Sequence, residues 1–371
     1  MNETILIWPV FILAFGGMVL IHEFGHFIVA RLCRIEVEEF GIGLPTPGAL
    51  TLFTWQGTRF TLNWLPLGGF VRPKGENDPN IPGGLAAASP WKRLAVLFAG
   101  PLMNLLTAWL IYSFMVTSAG IPVPERILIT DVIKDTPAEA AGIQTADILI
   151  AGQGQKIRSY SDLRNIIDPN ESKPIVFLIE RAGKQIELEV TPKRSEIDQR
   201  VIIGVYFEEQ YSSQPVSSWI EAAQFGSIAT YNSMRTIISL PAQLIRGSLP
   251  AEQSRVVGLK GIYDIMKQSV ASDLEASQSS STSPRSNPFD QMRTLMIIAS
   301  LSISLGIFNL IPFPALDGGR ILFVLPEIIF RRRVPHRLEN LVHGMGMALL
   351  LMFMIYVTVM DFVNPVNITI P

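Results

Sequence analysis

Residues 4–30 read TILIWPVFILAFGGMVLIHEFGHFIVA, and near the far end of this apolar run stands His22-Glu23-Phe24-Gly25-His26. The run exceeds the roughly 20 residues that a helix needs to cross a bilayer core. On a helix, positions i and i+4 share a face, so His22 and His26 can present two imidazole nitrogens to one metal ion. Glu23, one step around, then reaches a water molecule as general base. Four histidines and 32 acidic residues among 371 give a chance expectation of about 0.003 for this pattern. A merely satisfied buried histidine pair is a poor alternative in lipid, where ionisable side chains are expensive and functional.

Composition places the chain in the membrane class. Hydrophobic residues make up 48% and charged residues 17%, and the mean hydropathy is +0.33. A net charge of −2 offers nothing to a polyanion, and no basic patch with interleaved aromatics appears, so nucleic-acid binding is excluded. Cys33 is the only cysteine, which rules out internal disulfides and thiolate metal sites and leaves it a small core residue.

Besides the first run, residues 94–119 and 295–316 carry no charge, and 341–360 holds only His343 as an ionisable group. Four transmembrane helices are expected, at 4–31, 94–119, 295–330 and 338–363. The first is read as retained: Met1-Asn2-Glu3 is not a basic leader, and no small-x-small cleavage site closes the run. Arg31, Arg34, Arg59, Arg72, Lys74, Lys92 and Arg93 lie between the first two spans, and Arg331, Arg332, Arg333 and Arg337 between the last two. By the positive-inside rule both stretches are cytoplasmic, so the N-terminus and the long middle region face outward. Residues 219–245 are moderately apolar, but Glu221, Arg235 and Arg246 interrupt or flank them, which favours an amphipathic helix at the outer interface.

Catalytic zinc ordinarily takes three protein ligands. His336 and His343 are candidates for the third, but Asp317 is more distinctive. It closes Asn309-Leu310-Ile311-Pro312-Phe313-Pro314-Ala315-Leu316-Asp317, with Gly318 and Gly319 following. A carboxylate at the end of an uncharged span is costly unless it binds something. Counting about 1.5 Å per residue from the outer ends puts the histidines roughly 25–32 Å deep and Asp317 roughly 33 Å deep. A fifth span at 219–245 would send Asp317 to the opposite face, so four spans are the arrangement that allows one metal site.

These two motifs resemble the signatures of the site-2 protease family, and specifically its bacterial regulator-of-sigma-E protease branch. Glu39-Phe40-Gly41-Ile42-Gly43, Pro66-Leu67-Gly68-Gly69-Phe70 and Ala99-Gly100-Pro101-Leu102-Met103-Asn104 resemble further stretches of that branch. The resemblance implies a zinc metalloendopeptidase with Zn2+ held by His22, His26 and Asp317, and Glu23 as the catalytic base. It also implies substrate contacts from Asn309, Gly68 and Gly69. Residues 50–55 and 58–64 read as two short strands around Gln56-Gly57. Within the cytoplasmic region 32–93 they correspond in the family to a re-entrant β-hairpin whose edge pairs with the extended substrate.

Between 124 and 207 charges return, with short β runs at 126–132, 147–151, 175–180 and 185–191. Residues 136–143 and 161–167 look like the two helices of a PDZ domain, and one such domain fits the length. Ala146 stands where such domains generally have Gly, and no clear carboxylate-binding loop is assignable. Residues 208–292 are read as the amphipathic helix followed by a Ser-rich linker at 277–288. The fold expected is a polytopic α-helical membrane protein with a re-entrant β-hairpin and an extracytoplasmic α+β PDZ-like domain. The implied setting is the inner (plasma) membrane, with the active site near the cytoplasmic side. The implied partners are the lipid bilayer, single-span membrane proteins such as anti-sigma factors or remnant signal peptides, and a peptide or protein ligand of the PDZ-like domain. Two other classes stand beside this one. A silent scaffold would be free to lose His22, Glu23, His26 and Asp317, and a metal transporter would show ionisable residues in several spans, whereas the second has none.

Overall fold

The computed structural model describes residues 3–76, 78–195, 200–245, 256–278 and 287–364. Most of the Ser-rich stretch at 277–288 and the tail at 367–371 lie outside them. The first helix, α1 (Glu3–Leu32), ends where Arg34 takes a left-handed φ of 61° and Ile35 N–H turns back to the Ala30 carbonyl. Four strands follow: β1 (Val37–Leu44), β2 (Leu50–Trp55), β3 (Thr58–Leu62) and β4 (Leu65–Pro73). The expected antiparallel pair β2–β3 is present, its turn made by Gln56 and Gly57 with φ of 48° and 84°, the paired left-handed residues that a tight hairpin demands. It is only half of a sheet, however. The strand order is β2-β3-β1-β4, with β1 parallel to β3 and antiparallel to β4. Two of the stretches read above only as family strings, 39–43 and 66–70, therefore lie in an inner strand and in one edge strand of this sheet. Phe27, Phe40 and Phe60 pack together between sheet and helix, with centroids 5.5 to 5.7 Å apart. A buried Glu39 is satisfied by Thr61 Oγ1 and an Arg72 guanidinium, each at 2.9 Å.

Pro90 opens α2 (Pro90–Ala119) in the first turn, where its missing N–H costs nothing, and Gly120 at φ 82° ends it. The chain passes directly into β5 (Ile121–Val132), then α3 (Pro137–Ala140), β6 (Ile148–Gly152), β7 (Gln155–Lys156) and α4 (Tyr160–Ile167). A 3-10 turn leads to β8 (Ile175–Arg181) and β9 (Lys184–Val190). The two-residue strands β10 (Lys193–Arg194) and β11 (Val201–Ile202) and the long β12 (Val205–Gln214) complete the unit. Its main sheet runs β12-β5-β6-β8-β9, with every pairing antiparallel. The core is mostly aliphatic, with Ile127, Ile129, Leu149 and Ile179 packed around Phe177. Asp147 is fully buried, and Arg181 spans both its oxygens at 2.7 Å. This hydrogen bond to Asp147 is the main reason the Arg181 guanidinium is held above its usual pKa. Strand β12 extends to Gln214, so this unit is longer at both ends than the 124–207 read from sequence.

Helix α5 (Trp219–Ile245) packs against α2, where Trp109 Nε1 donates to the Ala223 carbonyl and Ala222 is buried beside Tyr112 and Met115. A helix not anticipated from sequence, α6 (Leu259–Gln278), buries Met266 and Val270 against Phe11 of α1. The third apolar region is two helices rather than one: α7 (Arg293–Leu310), a break through Pro312 and Pro314, and α8 (Asp317–Phe330). It is followed by α9 (His336–Val363). Among the described residues four helices are long and apolar enough to cross a membrane: Ile7–Leu32, Pro90–Ala119, Arg293–Leu310 and His336–Val363. Helix α9 leaves Leu341, Met345, Leu349, Met352 and Ile355 largely exposed, as a lipid-facing surface would.

Ala146 holds a φ of 72°, which explains why glycine suits that position. Ala146→Gly is expected to stabilise the β5–β12 unit by about 1 kcal/mol, measured by denaturant unfolding followed in the full chain. An unchanged or lowered midpoint would contradict the strain argument.

Candidate metal centre

Three side chains meet where α1, α2 and α8 cross. His22 Nε2 lies 3.1 Å from Asp317 Oδ2, His26 Nε2 lies 3.3 Å from the same oxygen, and the two imidazole nitrogens are 3.2 Å apart. Among the described residues these form the one group of three or more His, Cys, Asp or Glu able to share a metal ion. Tetrahedral zinc with ligands at about 2.0–2.1 Å requires ligand atoms about 3.3 Å apart, and the observed triangle matches that edge. The donor set, two imidazoles and a carboxylate with room for a fourth ligand, is that of a catalytic rather than a structural zinc site.

The far sides of both imidazoles fit the same reading. His26 Nδ1–H donates to the Val96 carbonyl at 2.7 Å, which fixes the tautomer with the Nε2 lone pair facing the cluster. His22 Nδ1 lies 3.2 Å from the side-chain amide of buried Asn104. With the amide nitrogen on that side, Asn104 Oδ1 is buried and has no partner. Turning the amide over lets Oδ1 accept from His22 Nδ1–H and leaves Nε2 free for metal.

Glycines make the convergence sterically possible. Gly25 has the Ala99 carbonyl 2.4 Å from where a Cβ would sit, so α1 and α2 touch through backbone. At Gly100 a Cβ would come within 2.4 Å of His26 Nε2 and 2.7 Å of His22 Nε2. Gly318 lets the carbonyls of Leu310 and Ile311 fold back onto the first turn of α8, which presents Asp317. Gly100 and Asn104 belonged to a stretch quoted above only for its resemblance. Nothing local distinguishes them, and the signal that could have found them is the small-residue and amide pattern on one face of an uncharged span.

The cluster opens on a cavity of about 400 Å³, also lined by Glu23, Asn309, Phe70, Val71 and Arg320. Glu23 Oε2 accepts from Val71 N–H at 3.1 Å, so β4 borders the site directly. Asn309 lines this cavity. Gly68 and Gly69 do not: they lie against Val19 and Leu20, where they let β4 approach α1. His336 is exposed at the start of α9, and His343 accepts from Ala315 N–H at 3.0 Å. Gly100→Ala is expected to cut zinc retention at least about tenfold with helical content unchanged, read by metal analysis and circular dichroism. Full zinc content in the variant would contradict the packing described.

The profile of peptidase family M50 matches residues 10–353. The chain is 28% identical over 375 residues to metalloprotease MmpA of Caulobacter vibrioides, covering 91% of each protein. It is 29% identical over 438 residues to zinc metalloprotease RasP of Oceanobacillus iheyensis, covering 94% of this chain and 96% of that one. Among solved structures, the PDZ domain of the SdrC-like protein from Listeria monocytogenes is matched at 14% identity over 24% of this chain and 90% of that one, with a TM-score of 0.21. The chain belongs to peptidase family M50, the site-2 proteases, and is a zinc metalloprotease.

Proposed function

We propose that the protein hydrolyses peptide bonds within or near the membrane-spanning segment of single-span membrane proteins, using zinc held by His22, His26 and Asp317. The observation that carries this reading is the 3.1 to 3.3 Å triangle of donor atoms, with Glu23 beside it and both histidines in a helix apolar enough to span a bilayer. Bound zinc supplies Lewis acidity to the scissile carbonyl and to water. Glu23, oriented by Val71 N–H, removes a proton from the attacking water and delivers it to the departing amine nitrogen, so the peptide bond breaks into a carboxylate and an amine.

The substrate reaches the site as an extended chain along β4, rather than along the hairpin β2–β3. Strand β4 is an edge of its sheet and borders the cavity. Because Val71 turns its N–H away from β1 to Glu23, alternation gives Gly69 the same outward edge. An unwound substrate pairs there, and Asn309 across the cavity holds its backbone. The sheet is re-entrant, the basic stretches are cytoplasmic and the β5–β12 unit is an extracytoplasmic PDZ-like domain of an inner-membrane enzyme. Trimmed anti-sigma factors and remnant signal peptides, processed by regulated intramembrane proteolysis, fit as substrates. The PDZ-like domain excludes intact ectodomains by size.

Cleavage of a detergent-solubilised single-span reporter by wild type and by Glu23→Gln tests the chemistry. Activity is expected to fall by about 10²- to 10⁴-fold with zinc retained; equal cleavage by both proteins would refute it. Replacing residues 121–214 by a short Gly/Ser linker is expected to admit reporters with large ectodomains while leaving small ones cleaved at the wild-type rate. Loss of all cleavage in a folded, zinc-loaded deletion would refute the size filter.

A further inference from the structure

We infer that His343, on α9, is a positioning residue for the metal centre: its Nδ1 holds the break that presents Asp317 to His22 and His26. The inference rests on the metal reading above and concerns the segment between α7 and α8. Pro312 and Pro314 deny that segment helical hydrogen bonds, and Ala315 is left with a φ of 83°, a region non-glycine residues seldom adopt. Within the break, Phe313 N–H bonds the Ile311 carbonyl and Leu316 N–H bonds the Phe313 carbonyl, whereas Ala315 N–H is taken by His343 Nδ1 at 3.0 Å. Asp317 follows two residues later.

The partner is itself held from two sides. Phe323 of α8 packs on the His343 ring with centroids 5.4 Å apart. One turn along α9, a Cβ on Gly346 would meet Pro314 Cβ at 2.3 Å and its carbonyl oxygen at 2.6 Å, so helix and break are in backbone contact. An amide N–H can donate only to an unprotonated ring nitrogen, which makes His343 neutral with its proton on Nε2. Nε2 is buried without a partner, so the imidazole gives up solvation there to supply one acceptor to a strained turn. This accounts for the one ionisable group in the fourth apolar segment without making it a ligand, and it gives α9, which contributes no side chain to the donor triangle, a part in shaping the site.

The test compares full-length wild type, Asp317→Ala, His343→Leu and His343→Asn, purified in detergent, for zinc affinity by chelator competition and for kcat and KM on the single-span reporter. Leu removes the acceptor at similar bulk, whereas the Asn carboxamide oxygen occupies the place of Nδ1. The expected result is zinc affinity about 10- to 100-fold weaker in His343→Leu, with kcat lowered, KM unchanged and the fold intact by circular dichroism, and recovery to near wild type in His343→Asn. Wild-type zinc affinity in His343→Leu overturns the inference, as does equal loss in the Leu and Asn variants, which would indicate packing alone. If wild type itself holds no zinc, or Asp317→Ala holds it as well as wild type, the metal reading fails first and takes this inference with it.

Discussion

Everything in this molecule depends on bringing one carboxylate and two imidazoles, separated by about 295 positions in the chain, into a triangle barely 3 Å on a side inside an apolar helix bundle. Three such atoms with their lone pairs facing one another repel unless a cation or proton stands among them, and in a low-dielectric interior the repulsion is large. Side-chain packing alone would leave the helices too far apart, since interaxial distances of about 8–10 Å are set by the groups at the contact. The chain removes those groups. Gly25 against the Ala99 carbonyl, Gly100 under both Nε2 atoms and Gly318 against Leu310 and Ile311 are each contacts that a methyl group would break. The outer faces of the imidazoles are then closed by Val96 and Asn104, so the Nε2 lone pairs of both rings point inward.

The small sheet answers a second constraint. A peptide bond in a membrane helix is shielded by its own hydrogen bonds, and exposing it leaves donors and acceptors that lipid cannot satisfy. An edge strand has the same deficit along its open side. With the β4 edge against the site, the proposed pairing with a substrate would let each deficit cancel the other. Without one, Glu23 caps at least the Val71 N–H. On the proposed mechanism, the base Glu23 and the strand offered to substrate are in one hydrogen-bonded unit, so substrate position and proton transfer would be linked through the backbone of a single residue.

What was legible in the sequence was whatever has a local signature. The i, i+4 histidines, the lone carboxylate after an uncharged run and the apolar lengths of the spans are all properties of contiguous residues. The depth argument even paired Asp317 with the right end of α1. What was not legible depended on partners distant in sequence. Strand β1 has no clean apolar alternation because its buried face carries Glu39, Gly41 and Gly43, and Glu39 is neutralised by Arg72 across the sheet. Helix α6 is polar enough to look like linker, since only a narrow stripe through Met266 and Val270 is buried. The role of Gly100 is invisible without α1, and that of His343 without the break it meets, because a lone histidine in an apolar run looks the same whether it binds a metal or a backbone amide.

The size-filter reading makes a geometric demand that a loosely tethered domain would not meet. To exclude bulky ectodomains sterically, the β5–β12 unit must keep a fixed orientation over the outer ends of the spanning helices. Helix α2 passes into β5 with Gly120 as the only intervening residue, and Ile121 pairs with Gln214 at the far end of β12. Ser213 Oγ donates to the Ala119 carbonyl, so the last strand is bonded to the last turn of the helix it must stand above. From β12 the chain reaches α5, which lies along α2 with Gly226 packed on Ser113 and the Trp109 carbonyl. The domain is thus joined in the chain at both ends to helices that pack on each other, and one of them carries the Gly100 and Asn104 contacts to the metal centre. A load that tilted this unit would be carried by α2 itself, so on the size-filter reading the helix that supports the filter is also the helix on which both histidines rest.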